Sequence, residues 1–118
     1  MSETNERSVT PQEIMDFLYE ITGEKTKIEP AWSTPDFQNR SGFQVETRIG
    51  SSFTFEIIAN TQEKVAWKYF NHCREVYGYY VKKSKSFLWR FVNKFSNKER
   101  KDFIRKLERL HAWRDAHN

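Results

Sequence analysis

Two segments of alternating apolar and polar residues constrain the fold of this chain more than any other feature. They are residues 43–49 (FQVETRI) and residues 53–57 (FTFEI). Side chains alternate between the two faces of a β-strand, so each segment predicts a strand with one apolar face. Pairing Ile49 with Phe53 across residues 50–52 places both apolar sets on one face, whereas a two-residue turn would place them on opposite faces. We therefore predict an antiparallel hairpin with a three-residue loop and its bulge.

The predicted register has one unfavourable feature on the outer face of the hairpin. It places Glu46 directly opposite Glu56, and like charges in that position repel each other. Two carboxylates can contribute to a cation site, but they are only part of the shell that a hard cation needs. We expect Arg48, a diagonal neighbour, to offset the repulsion, and we predict no metal site.

The first helix has clear start and stop signals. Thr10 has the hydroxyl of an N-cap, Pro11 stands at the first helical position, and Glu13 follows the cap by three residues. Gly23 is placed to end the helix. The pattern predicts a helix over about residues 11–22. After it, we predict an edge strand that runs from Lys25 to Ile28 or as far as Trp32, because proline is tolerated at a sheet edge.

Beyond residue 60 the whole sequence has a helical pattern. Asn60 and Glu63 form a capping pair, Gly78 weakens the helix that follows, and residues 82–86 predict a solvated break. Ser96 and Glu99 form another capping box, which opens a last helix. The apolar positions that we expect to face the core are Val65, Tyr69, Cys73, Val76 and Tyr80 in the first of these helices and Phe103, Leu107, Leu110 and Trp113 in the last.

These elements together predict an α+β fold. Its order is α-β-β-β-α, with a three-stranded antiparallel sheet packed on two helices and a basic helical carboxy-terminal extension. A length of 118 residues fits one domain, residues 1–118, with a core over 10–77 and the extension over 78–118. Aromatic residues make up 16% of the chain, which is enough to fill a small core and argues against disorder.

The sequence also predicts where such a protein is found. Its one cysteine, Cys73, excludes an internal disulfide and suits a reducing compartment. The first residues lack the basic and then apolar pattern of a secretion signal, and no apolar run approaches the ~20 residues of a membrane span. We expect an intracellular, cytoplasmic protein with no membrane partner.

Charge is divided unevenly along the chain. Residues 1–60 carry five basic and ten acidic residues, whereas residues 61–118 carry fifteen basic and six acidic residues. The net charges are therefore −5 and +9. Such asymmetry suggests that the second half faces a polyanion, most plausibly nucleic acid. The simpler alternatives are an internal dipole whose halves partly pair, or a solvated basic helix.

No combination of residues predicts catalysis. The four glycines are scattered and form no phosphate-binding loop. His72 and Cys73 are adjacent on a predicted helix, so their side chains diverge by ~100° and do not form a nucleophile and base pair. We predict that the chain is not an enzyme and has no cofactor.

Four segments in order resemble landmarks of the double-stranded-RNA-binding domain, over residues 10–77. Residues 17–20 (FLYE) are similar to the apolar-apolar-x-Glu of its first helix, and residues 34–37 (TPDF) stand where that family has a Gly-Pro-x-His loop. Residues 43–49 look like its second strand, and residues 61–66 (TQEKVA) occupy the start of its last helix. The resemblance implies the α-β-β-β-α fold and binding of RNA.

The differences from that family fall on the residues that contact RNA. Glu20 matches the helix-1 glutamate, but the loop histidine corresponds to Phe37 here. The lysine pair that clamps phosphates is replaced by Gln62-Glu63, with Lys64 and Lys68 nearby. Recognition in that family works through shape, 2′-hydroxyls and phosphates, so losing the lysines removes a main source of affinity. Two possibilities are therefore open: the carboxy-terminal helices contact the RNA, or the chain binds protein instead of RNA.

Our leading hypothesis is a non-enzymatic nucleic-acid-binding module, with RNA favoured as the partner. Cations can neutralise phosphates while aromatic rings stack on exposed bases, and the second half interleaves the two residue types. Trp67 and Trp89 fall outside the apolar stripes and are candidates for stacking. The predicted contact residues are Glu20, Lys64, Lys68, Lys82, Lys83, Lys85, Arg90, Lys98, Lys101, Arg105 and Arg109.

Two alternatives remain open at this point. The chain could be a protein-interaction or inhibitory accessory module, or a dimer, that binds through its acidic first half or through an aromatic patch of Trp89 and Trp113. A minor alternative is a metal-dependent nuclease that uses Glu46 and Glu56.

Overall fold

The computed structural model describes residues 9–31, 42–85 and 97–117, and within them it has three helices and one three-stranded antiparallel sheet. The order α-β-β-β-α-α confirms the predicted α+β fold. The elements are α1 (Pro11–Thr22), β1 (Ile28–Pro30), β2 (Phe43–Thr47), β3 (Phe55–Ala59), α2 (Gln62–Ser84) and α3 (Asn97–Ala116).

The chain divides into two compact units, and α2 belongs to both of them. The first unit extends to Asn71 and the second begins at His72. The end of the core that the sequence predicts, after Tyr77, lies six residues further along α2 than this boundary. That all 118 residues make one domain stays a prediction. In the described part of the chain, no helix is both long and apolar enough to span a bilayer.

Helix α1 has the bounds and the caps that its sequence predicts. The Glu13 backbone N–H donates to Thr10 Oγ1 at 3.1 Å, and the Thr10 N–H donates to the Glu13 carboxylate at 3.0 Å. Gly23, at a φ of 76°, ends the helix by donating its N–H to the Tyr19 carbonyl. These bonds satisfy backbone groups that the helix itself leaves unpaired. The apolar side of α1 is buried.

The sheet has the order β1-β2-β3, and its register is the predicted one. Val45 pairs with Ile57, and Thr47 pairs with Phe55. Strand β1 pairs only with β2, so Pro30 lies in an edge strand as expected.

The predicted three-residue hairpin loop is wrong, although the register around it is correct. The ladder stops at Thr47, and the Ser51 N–H donates to the Arg48 carbonyl at 3.0 Å, which closes a turn around Ile49 and Gly50. Gly50 has a φ of 82°, the left-handed value that the third position of a type II turn requires. The connection therefore covers residues 48–54. Phe53, which we expected to face the core, is 78% exposed.

The outer face of the hairpin contains the predicted pair of like charges. Glu46 lies opposite Glu56, and both are exposed. Arg48 does not offset them as we expected, because its Nε donates to Thr54 Oγ1 at 3.0 Å. Within the described residues Arg48 forms no ion pair with either glutamate.

The core of the first unit combines an apolar cluster with a polar network. The Phe17 and Phe70 rings, from α1 and α2, stack with centroids 6.3 Å apart. Its buried apolar side chains are those of Ile14, Met15, Phe17, Leu18, Ile21, Val45, Ala59, Val65, Ala66, Tyr69 and Phe70.

The polar network, which we call the Glu24 network, consists of Glu24, Thr47, Arg48 and Tyr69. Thr47 Oγ1 donates to Glu24 Oε1 at 2.5 Å, and the Arg48 backbone N–H donates to Glu24 Oε2 at 3.0 Å. The hydroxyl of the buried Tyr69 lies 3.5 Å from Glu24 Oε1. One half-buried carboxylate thereby connects the segment after α1 with the end of β2 and with α2.

Helix α2 is longer and capped differently than its sequence suggested. Thr61, not Asn60, is the N-cap, since its Oγ1 accepts from the Lys64 N–H at 3.0 Å. The helix continues through Gly78 to Ser84 without interruption. On its inward side Tyr77 is buried, whereas Val76 and Tyr80, which the apolar spacing predicts to face the core, are only half-buried.

The second unit packs α3 against the last turns of α2 through aromatic rings. Phe103 lies with its ring centroid 5.1 Å from that of Tyr80 and 6.5 Å from that of Tyr77. Leu110 is fully buried, and Leu107 and Trp113 are half-buried. The predicted Ser96 cap lies outside the described residues.

We expect the Glu24 network to be essential for the stability of the first unit. Glu24→Gln and Thr47→Val each break a hydrogen bond and leave a partner unsatisfied, which costs about 1–3 kcal/mol of unfolding free energy. The double variant should lose less than the sum of the two, because both changes remove the same contact. Urea unfolding followed by circular dichroism measures this. Glu46→Gln, which removes an exposed carboxylate without a described ion pair, is the control, and an equal loss in it would contradict the assignment.

Two glycines provide a matched pair of substitutions with opposite expected effects. A Cβ at Gly42 would lie 2.9 Å from the Ala59 carbonyl oxygen, whereas a Cβ at Gly78 would meet nothing within 4 Å. Gly42→Ala should therefore destabilise the chain by about 1–3 kcal/mol through overpacking. Gly78→Ala should stabilise it by about 1 kcal/mol, because alanine has the better helix propensity. Equal midpoints of urea unfolding for the two variants would argue against both assignments.

Candidate nucleic-acid interface

The uneven charge of the sequence follows the division into two units. Up to Asn71 the chain has seven basic and eleven acidic residues, and from His72 onward it has thirteen basic and five acidic residues. The first unit therefore has a net charge of −4 and the second a net charge of +8. Basic residues are concentrated in the unit that contains α3.

Four cations of α3 lie on one exposed face, which we call the α3 stripe. It consists of Lys98, Lys101, Arg105 and Arg109, and all four are exposed. Their spacing of three, four and four residues confines them to an arc of ~80° around the helix and a length of about 16 Å. The buried Leu110 lies on another side of α3. The prediction that these four residues line a side other than the apolar one is confirmed.

An open depression of about 860 Å³ adjoins the first half of the α3 stripe. The described residues that line it are Lys98, Glu99, Lys101, Asp102 and Arg105. Among these five described residues three are cations and two are carboxylates.

Asp102 neutralises part of the charge on α3. Its carboxylate accepts a hydrogen bond from Arg105 and lies 3.0 Å from Lys106 Nζ. The hydrogen bond from Lys106 holds the pKa of Asp102 below its ordinary value, with further support from Arg105, against a smaller opposing effect of burial. Lys98 and Lys101 form no ion pair within the described residues. These two lysines are therefore the least compensated cations of the stripe.

The lysines at the end of α2 form a second basic cluster. Lys82 and Lys85 are exposed, and Lys83 is half-buried with its Nζ 5.3 Å from the centroid of the Tyr79 ring. Tyr79 itself is 48% exposed. An exposed ring and three lysines thus lie within seven residues of the chain, at the end of α2 and just beyond it.

The predicted contact residues of the first unit have a different setting. Glu20 is exposed on α1, and Lys64 is exposed on the first turn of α2. Lys68 donates from Nζ to the Ile58 carbonyl at 2.9 Å, so it supports strand β3. These three residues do not belong to the α3 stripe. Arg90, the remaining candidate, lies outside the described residues.

The aromatic candidates are only partly as expected. Trp67 is half-buried and meets Phe70 edge-on with centroids 5.2 Å apart, so it packs inside the first unit. Trp113 stacks on His117 at 4.0 Å, and Trp89 lies outside the described residues. Tyr79 was missed from the sequence. The sequence pattern could have indicated an exposed ring near cations, because Tyr79 lies off the apolar stripe of α2 and Lys82 and Lys83 follow it by three and four residues.

The described residues contain no cluster of three or more histidine, cysteine or acidic side chains that could hold a metal ion. Cys73 is buried in the apolar side of α2. Comparison with known proteins finds no matching family model, no similar curated protein and no similar solved structure. The resemblance to the double-stranded-RNA-binding domain stays a prediction.

Asp102 gives the stability of α3 a dependence on pH. Because its pKa is lower in the folded than in the unfolded chain, its stabilising effect is present at neutral pH and is lost as the pH falls through the folded-state pKa. Asp102→Asn should therefore lower the melting temperature at pH 7 by a few degrees at most, and the difference from the wild type should close below about pH 4.

Thermal melts between pH 3 and pH 7 measure this difference. Glu108→Gln is the control, since Glu108 is exposed on the same helix and forms no ion pair within the described residues. A difference between the wild type and Asp102→Asn that stays constant across this range would contradict the role given to Asp102.

Proposed function

We propose that this chain is a non-enzymatic nucleic-acid-binding module that contacts phosphates through the α3 stripe. The observation that carries the proposal is the exposure of four cations on one face of α3. The excess of eight positive charges in the second unit supports it. RNA is the favoured partner, on the resemblance of residues 10–77 to an RNA-binding family, and an RNA partner implies an intracellular protein.

The α3 stripe has the dimensions of a backbone contact. Its length of about 16 Å is comparable to that of several consecutive phosphates, and lysine and arginine are the side chains that most often meet them. Contact with phosphates releases condensed counterions, so affinity falls steeply with salt. This electrostatic contribution to affinity requires exposed cations that form few ion pairs with the protein's own carboxylates, and Lys98 and Lys101 meet this requirement.

The proposed contact differs from that of the family which the first unit resembles. Residues 62 and 63 are Gln and Glu instead of lysines, and Lys68 is bonded to the Ile58 carbonyl. Few cations at the start of α2 are therefore available for phosphates. The second unit supplies them instead.

We expect Lys98→Gln/Lys101→Gln to weaken RNA binding by about ten- to thirty-fold at 0.1 M salt. For a single strand, each neutralised phosphate contributes about −0.7 to the slope of the logarithm of the association constant against the logarithm of the salt concentration. If each of the four stripe cations neutralises one phosphate, the slope is about −2.8, and removing two of them reduces its magnitude by about 1.4. Fluorescence anisotropy with a labelled RNA, tested as a single strand and as a duplex, measures both quantities.

The control for this variant is Lys25→Gln/Lys27→Gln, which removes the same charge from two exposed lysines of the first unit. Asp102→Asn should change the RNA affinity in the opposite direction. Losing this carboxylate releases Arg105 and Lys106 for contact with phosphates, so binding should tighten even though the stability of the chain falls. Equal losses in both lysine variants would reject the α3 stripe as the contact.

Absence of binding at low salt would reject nucleic acid altogether. Sedimentation of the chain with and without RNA then tests the protein-interaction alternative, because a dimer of constant mass that is indifferent to RNA would favour it.

A further inference from the structure

The cations of the α3 stripe form a straight row. They are separated by three, four and four residues, which correspond to about 4.5, 6 and 6 Å along the helix axis. Helix α3 runs from Asn97 to Ala116 and contains no proline or glycine, the usual causes of a kink. The four cations are therefore spaced at nearly regular intervals along one rigid helix.

Carboxylates border this row on both sides of the helix. Glu108 and Asp115 lie about 60–80° from the middle of the row in one direction, and Asp102 lies about 60° from it in the other. Glu108 and Asp115, which we call the acidic border, are exposed and form no ion pair within the described residues. Lys106 lies beyond Asp102 and is held by its carboxylate at 3.0 Å. The positive surface of α3 is therefore long and narrow.

The backbone of a duplex does not match a long and narrow row of cations. A duplex turns once in about 10–10.5 base pairs, so three successive steps rotate its backbone by about 100° around the duplex axis. A strand that curves in this way approaches a straight helix at about two phosphates. The second strand of the duplex brings further phosphates towards the carboxylates beside the row, where like charges repel each other. A single strand is not held to this curvature, so its backbone can follow the row.

From this geometry we infer that the α3 stripe holds one strand of single-stranded nucleic acid along the helix, with successive phosphates against its cations. The inference rests on the proposed nucleic-acid-binding function and names the substrate class of the same site. All four residues of the row are lysine or arginine, so the contact is with the backbone and does not depend on the base sequence. The acidic border contributes to specificity, because it disfavours the competing duplex.

The test uses the full-length chain and a labelled RNA of about twelve nucleotides, a length within the usual range of single-strand sites. The RNA is used in three forms: a single strand, a duplex with its complement, and an abasic strand that keeps every phosphate. Fluorescence anisotropy at several salt concentrations measures the affinity of each form.

Two variants examine the length and the width of the row. Lys98→Gln removes the cation at its end, and Lys25→Gln, which removes an exposed lysine of the first unit, is the matched control. Glu108→Gln/Asp115→Asn removes the acidic border. Its control is Glu46→Gln/Glu56→Gln, which removes the same charge from the exposed outer face of the hairpin.

The wild type should bind the single strand about tenfold more tightly than the duplex at 0.1 M salt, because four single-strand contacts give a salt slope of about −2.8 and two duplex contacts about −1.8. Lys98→Gln should weaken binding of the single strand by about fivefold, the contribution of one phosphate at this salt concentration. Its duplex affinity should fall by less than about twofold, since the duplex reaches only part of the row. The abasic strand should bind within about twofold of the normal strand, because it keeps every phosphate.

Removing the acidic border should change the preference between the two forms of RNA. In Glu108→Gln/Asp115→Asn the duplex affinity should rise at least about threefold more than the single-strand affinity, because the second strand no longer meets like charges. The control variant of the hairpin should raise both affinities by the same factor, since it changes only the net charge of the chain.

Other results overturn the inference in distinguishable ways. Duplex binding as tight as single-strand binding, or equal losses for both forms in Lys98→Gln, rejects the single strand as the ligand. Equal gains for both forms in Glu108→Gln/Asp115→Asn have the same meaning. The α3 stripe remains the contact in these cases if Lys98→Gln/Lys101→Gln still weakens binding.

The abasic strand and the absence of binding provide two further outcomes. An abasic strand bound at least about fivefold more weakly than the normal strand, the loss expected for one stacked base, rejects a contact with the backbone alone. Absence of binding in every form rejects the inference and the proposed function together. Far-ultraviolet circular dichroism confirms that each variant is folded.

Discussion

The arrangement of the first unit depends on one carboxylate, that of Glu24. Because Gly23 ends α1, Glu24 follows immediately and accepts hydrogen bonds from Thr47 Oγ1 and from the Arg48 backbone N–H, with the Tyr69 hydroxyl beside it. Burying such groups is costly unless they are paired, so these partners must meet at one point. This requirement sets the end of α1, the end of β2 and α2 relative to one another, which apolar packing alone would leave less well defined.

The two units differ in their secondary structure, their stabilising contacts and their net charge. The first has the sheet, the Glu24 network and a net charge of −4, whereas the second has the aromatic contact between α2 and α3 and a net charge of +8. In the second unit a carboxylate again matters, but Asp102 lies near the surface and pairs with Arg105 and Lys106. The stability of the first unit and the proposed contact of the second are therefore open to separate mutation.

Much of the fold was predictable because local patterns agreed with the tertiary structure. The bounds of α1 follow from its caps, and the register of β2 and β3 follows from an alternation that permits only one common apolar face. Predictions failed where neighbours decided the outcome. The turn closes at Arg48 to Ser51 instead of across residues 50–52. The predicted solvated break over residues 82–86 does not begin at Lys82, since α2 continues to Ser84, which is buried and donates its hydroxyl to the Val81 carbonyl at 2.8 Å.

The sequence alone determined the bounds of α1, the strand register, the concentration of cations in the second half and the stripe on α3, because these follow from local caps, periodicity or composition. Tertiary structure decided which groups are available. It placed Lys68 on the Ile58 carbonyl, packed Trp67 against Phe70, paired Asp102 with two cations and placed the Lys83 ammonium over the Tyr79 ring. Exposure and pairing depend on residues distant in sequence, so no local pattern contains them.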